Sequence, residues 1–160
     1  MLDTLLPGVQ HLQNIHPLVV HFPVAFLSGA ALLYLLAWLA GHDAWAWTGL
    51  WLLVLGTLSA AVAVGTGLYA EPGAMMARSV RSALLVPHKR FMLATLGLGA
   101  AVTVWAGVAR PFPARGRRVF IVLLFVLLAG LTKGADYGAR MVYGYNVGGN
   151  ACGQPIDFTE

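Results

Sequence analysis

The residues best suited to chemistry are histidines set beside prolines at the mouths of apolar runs. The stretch Ile15-His16-Pro17-Leu18-Val19-Val20-His21-Phe22-Pro23 carries two imidazoles, and a third, His88, follows Pro87 at the start of another run. An ionisable side chain is costly in hydrocarbon, so one held at the edge of a membrane segment points to a site. Imidazole ligates metals, and two facing imidazoles form an axial pair for haem iron. Cations lie close by in sequence: Lys89 and Arg90 directly after His88, and Lys133 and Arg140 toward the end of the last apolar run. Such side chains would satisfy haem propionates.

These groups need a scaffold, and composition defines its class. Of the 160 residues, 59% are hydrophobic and only 10% charged, against about 25% charged in soluble domains. Mean hydropathy is +0.75. The reading is an all-α integral membrane protein, a four-helix antiparallel bundle forming a single domain over residues 1–160. About 20 residues at 1.5 Å rise cross a hydrocarbon core of roughly 30 Å. The spans are expected near residues 17–40, 46–70, 84–109 and 118–143, with a polar tail over 144–160. The net charge of +4 does not imply nucleic-acid binding. The basic residues sit in short segments beside apolar runs, where they set orientation.

Residues 1–15 hold no Lys or Arg, and the first apolar run exceeds a signal-peptide core of roughly 7–15 residues. A cleavable signal is therefore not expected. Cys152 is the single cysteine, so no intrachain disulfide and no CxxCH haem attachment is available. It reads as an incidental thiol in a polar tail.

The prolines fix local geometry. Pro17 suits a first helical turn, where its missing N–H is not needed, and places His16 just outside the helix. Pro23 removes one backbone bond and should kink the helix. His21, between them, lies inside the helix near its end. Trp38, Trp45, Trp47 and Trp51 crowd the opposite end as an interfacial belt, and His42 reads as a loop residue there. Residues 71–83, with Met75, Met76, Arg78 and Arg81, form the longest connection.

Up-down threading brings the unusual residues to one end: His16 and His21, then Thr66, Gly67 and Tyr69, then His88, Lys89 and Arg90, then Lys133, Asp136, Arg140, Tyr143 and Tyr145. The other half is nearly pure Leu, Val, Ala and Trp. His21 and His88 are the favoured axial and metal-ligating pair, because each lies roughly one turn inside the apolar boundary. His16, five residues from His21, is roughly 140° away around a helix. It would serve a second cofactor, a propionate or a carbonyl. Spacing alone leaves three readings open: haem b, a metal or proton site, and histidines acting only as structural caps. Gly130, Gly134 and Gly138 favour a close helix contact, and Lys133 and Asp136 are spaced to pair.

The segments His16-Pro17-x-x-x-His21-Phe22-Pro23, Gly65-Thr66-Gly67-Leu68, His88, and Gly138-x-x-x-Val142-Tyr143-x-x-x-Val147 resemble a bacterial family of four-helix inner-membrane proteins of unknown function. That family is similar in arrangement to the membrane cytochrome b group. The resemblance spans nearly the whole chain and implies the fold and a haem. Gly138-Ala139-Arg140 departs from the paired glycine expected before Tyr143, and three histidines are too few for two stacked bis-histidine haems.

The leading functional reading is a b-type cytochrome passing electrons between the quinone pool and a periplasmic redox protein or respiratory complex. With no catalytic acid or nucleophile in view, an electron carrier fits better than a substrate enzyme. The alternative is a transport or assembly subunit for a metal or haem, with His16, His21, His88, Met75 and Met76 as a transient outer-face site; a purely structural subunit of a respiratory complex is the third. Membrane lipid and a second copy of the chain complete the expected partners. The arginine-rich loop 110–118 is expected in the cytoplasm, which puts the termini in the periplasm of a bacterial inner-membrane protein.

Overall fold

A computed structural model describes residues 15–147. Cys152 and most of the tail lie outside that range. Four helices are long and apolar enough to cross a membrane: α1, His16–Ala40; α2, Asp43–Gly73; α3, Arg78–Ala109; and α4, Arg117–Tyr145. The described residues contain no strand. α1 packs mainly on α2 and α3 mainly on α4, while α2–α3 and α1–α4 contacts close the ring. The result is an up-down-up-down bundle in which α1 and α3 stand diagonally opposite.

The span boundaries fall within a few residues of the sequence expectation except at the third. There, residues 71–83 are largely helical rather than a loop. A 3₁₀ turn, Glu71–Gly73, ends α2. Helix resumes at Arg78 and passes through a π turn, Arg81–Leu85, before the regular part of α3 begins at Val86. Pro87 has no N–H to give the preceding turn, and the wider turn directly before it accommodates that loss.

α1 is interrupted as Pro23 requires. His16–Val19 form a first helical turn, Val20 breaks the pattern, and helix resumes at His21. Without a proline N–H at position 23, the Val19 carbonyl has no intrahelical donor four residues on. His16 thus opens the helix instead of standing outside it.

The core runs along the bundle axis through Leu27, Leu53, Val102, Leu124 and Leu127. Within a membrane these contacts act through close packing more than through water exclusion. Gly56 illustrates this, since a Cβ there would stand 2.7 Å from Leu27 Cδ2. The outward surface is also apolar, with Leu32, Leu58, Val62, Val104, Val122 and Phe125 all exposed. Trp38, Trp45, Trp47 and Trp51 are exposed at the α1–α2 turn, as an interfacial belt would be. His42 lies exposed just before the first residue of α2 and makes no side-chain cap bond.

Candidate functional site

Two of the three expected histidines are half-buried against neighbouring helices, and they are not the favoured pair. His16 on α1 and His88 on α3 are both half-buried at the same end of the bundle. His21 is exposed. The helical angle between His16 and His21 does put them on different faces, but it is His16 that faces inward. The first turn, His16–Val19, packs against α2.

His16 rests on the last turns of α2. Its Nδ1 is 3.1 Å from Thr66 Oγ1. That hydroxyl lies 3.0 Å from the Ala63 carbonyl. Nδ1 and the Thr66 hydroxyl share one hydrogen bond. Gly67 makes the approach feasible, because a Cβ there would lie 3.0 Å from His16 Cε1.

His88 repeats this arrangement in the second hairpin. Its Nδ1 donates to the Gly134 carbonyl of α4 at 2.7 Å, leaving Nε2 as the lone-pair nitrogen. Gly138, one helical turn after the acceptor, would place a Cβ 3.2 Å from His88 Cε1. A side chain at that position would cover the carbonyl. The glycine row thus serves α3: Gly130 meets Thr95, Gly134 meets Met92 and Phe91, and Gly138 meets His88.

The cations divide. Lys89 Nζ lies 2.9 Å from each oxygen of Glu71, and Arg81 reaches the same carboxylate at 3.4 Å. This cluster ties the end of α2 to the start of α3. Lys133 pairs with Asp136 at 3.1 Å and lies over the Tyr137 ring, which stacks on Phe91. Lys89 and Lys133, expected to meet propionates, therefore hold carboxylates of the chain itself. Arg90 and Arg140 are exposed. Met76 packs with Val80, Leu84 and Met141, while Met75 is exposed.

Sequence reasoning passed over Thr66, Gly67 and the Gly134 carbonyl as partners of the imidazoles. The Gly65-Thr66-Gly67 run was a usable signal. A hydroxyl between two glycines near a helix end leaves room for a ring from a neighbouring helix.

Residues 12–151 match a family described as predicted membrane protein, DUF2231. The chain belongs to this family. No curated protein and no solved structure matches it. Four candidate spans and membership of DUF2231 together make it a multi-pass membrane protein.

Proposed function

We propose that this DUF2231 protein is a membrane-embedded b-type cytochrome, with haem b held by His16 and His88 in place of His21 and His88. The observation that carries the reading is the matched pair of imidazoles. They sit on diagonal helices at the same end of the bundle and are each tied at Nδ1 to an oxygen of the neighbouring helix. A ligating histidine characteristically donates its other ring N–H to an oxygen acceptor, which fixes the tautomer and raises ligand basicity.

The donor set fits this group better than a bare ion. Among the described residues, no group of three or more His, Cys, Asp or Glu comes together. A haem iron asks only for axial ligands, because the porphyrin supplies the rest. When bound, haem supplies one-electron redox chemistry. The chain's part is to orient two imidazoles and to offer the exposed Arg90 and Arg140 to carboxylates. Electrons would pass between the quinone pool and a periplasmic redox partner. On this reading the chain lies in the bacterial inner membrane, with loop 110–118 cytoplasmic and the histidine end periplasmic.

A reduced-minus-oxidised spectrum with haem quantitation tests the proposal. The purified protein should show a low-spin bis-imidazole spectrum. His16→Ala and His88→Ala should each abolish it, and His21→Ala should leave it intact. Wild-type haem content in both of the first two variants would rule the assignment out.

A further inference from the structure

Among the four spans, α4 has the shortest stretch free of charge. Between Arg118 and Lys133 it offers residues 119–132, roughly 21 Å of helix against a hydrocarbon core of roughly 30 Å. α1, α2 and α3 contain no Asp, Glu, Lys or Arg over residues 22–40, 44–70 and 91–109. With Arg118 at one membrane surface, Lys133 and Asp136 fall within the apolar layer. They also face away from the bundle, with side chains 51% and 47% exposed. Ionisable groups inside a span almost always face protein or a water-filled cavity. A lysine stem can carry its charge outward to water, but the short Asp136 side chain cannot follow.

The pair belongs to a continuous exposed row of Val122, Val126, Ala129, Lys133, Asp136 and Arg140. The spacing alternates between four and three, the repeat along which two helices pack side by side. Gly130, Gly134 and Gly138 are already turned to α3, so this row is left for a neighbour outside the chain. Ala129, one turn below Lys133, is small enough for a close approach.

We propose that this face of α4 is a homodimer interface, in which a second copy of the chain covers Lys133 and Asp136. Copies inserted alike in one membrane point the same way, so the two-fold axis lies along the membrane normal and the two α4 helices run parallel. Across such an axis residue i meets j while j meets i. Lys133 of each copy then reaches Asp136 of the other, and the two intrachain pairs, each closed at 3.1 Å, merge into a ring of four alternating charges. An ammonium has three donors and a carboxylate two acceptor oxygens, so each group serves both neighbours. An unrelated subunit would need a matching pair at the same depth, whereas a second copy carries one already. Nothing in this depends on haem.

The test uses full-length protein in native membranes, with Cys152→Ser as background. Ala129→Cys should form a covalent dimer on mild oxidation. Leu58→Cys should not: it is exposed on α2 at a similar depth, since Thr57 and Leu127 both meet Gly99. Lys133→Asp and Asp136→Lys, each expressed alone, place like charges across the axis and should lower Ala129→Cys cross-linking severalfold. Differently tagged copies of these two variants, expressed together, should pair again, a rescue that an ion pair within one chain cannot give. Ala129→Leu, which adds bulk without charge, should lower the dimer fraction of otherwise wild-type protein in lipid nanodiscs. Equal cross-linking at positions 58 and 129, wild-type dimer content in Ala129→Leu or in the single charge variants, or an Ala129→Cys product joined to a different protein would overturn the proposal.

Discussion

The two ends of the bundle solve opposite problems. At the end away from the histidines, Tyr34 and Phe120 are fully buried, and Phe112 from the α3–α4 connection packs on both. Trp105 meets Phe120 edge-on at 5.6 Å. The Tyr34 hydroxyl donates to the Pro111 carbonyl at 2.9 Å, and Arg117 lies over the Phe112 ring. Large rings interlock there, and the buried hydroxyl has its acceptor. At the histidine end, the rings of His16 and His88 rest on Gly67 and Gly138 and stay half-buried. Aromatic packing is concentrated at the closed end, and polar groups at the histidine end. Aromatic pairs contribute about 0.5–1.5 kcal/mol beyond their area, so the closed end should dominate stability.

Three substitutions would break or sharpen this contrast. Phe120→Ala empties the centre of the aromatic cluster and should cost about 3–5 kcal/mol. Denaturant unfolding in detergent would measure it, and the histidine tautomers of the surviving folded fraction should not change. A tautomer change would show that the two ends are coupled. Tyr34→Phe keeps the ring but takes the donor from the Pro111 carbonyl, at about 1–3 kcal/mol. The same unfolding assay applies, and a loss below a few tenths would mean that this bond does not secure the loop. The smallest stability effect belongs to the histidine end. Gly138→Ala gains roughly 0.5–1 kcal/mol in helix preference but pushes against the His88 ring, so net stability should move by about 1 kcal/mol or less. The His88–Gly134 bond should nevertheless lengthen, seen as a changed His88 Nδ1–H chemical shift. An unmoved shift would mean that the ring has more room than Gly138 alone provides.

Much of the architecture was legible beforehand. Four apolar runs of spanning length admit few arrangements in hydrocarbon, where backbone groups must be satisfied within each helix. Alternating direction then gathers the histidines, the cations and the Thr66-Gly67 pair at one end whichever side faces the cytoplasm. The break in α1 followed from Pro23, and the different faces of His16 and His21 followed from helical geometry. Residues 71–83 were harder, because a short basic stretch before a proline reads equally as loop or as an irregular helical turn.

What the sequence determined by itself is therefore depth: which residues share a layer and which end of the bundle they occupy. Rotation was decided only by tertiary structure. A helix apolar on every side carries no stripe to say which face turns inward, and α1 exposes leucines and phenylalanine while burying others. The choice of His16 over His21 came from the fit of one imidazole against Thr66 and Gly67 on α2. The pairing of Lys89 with Glu71 likewise depended on how closely α2 and α3 meet. Both are contacts between segments distant along the chain, and residue spacing within one helix cannot encode the surface of another.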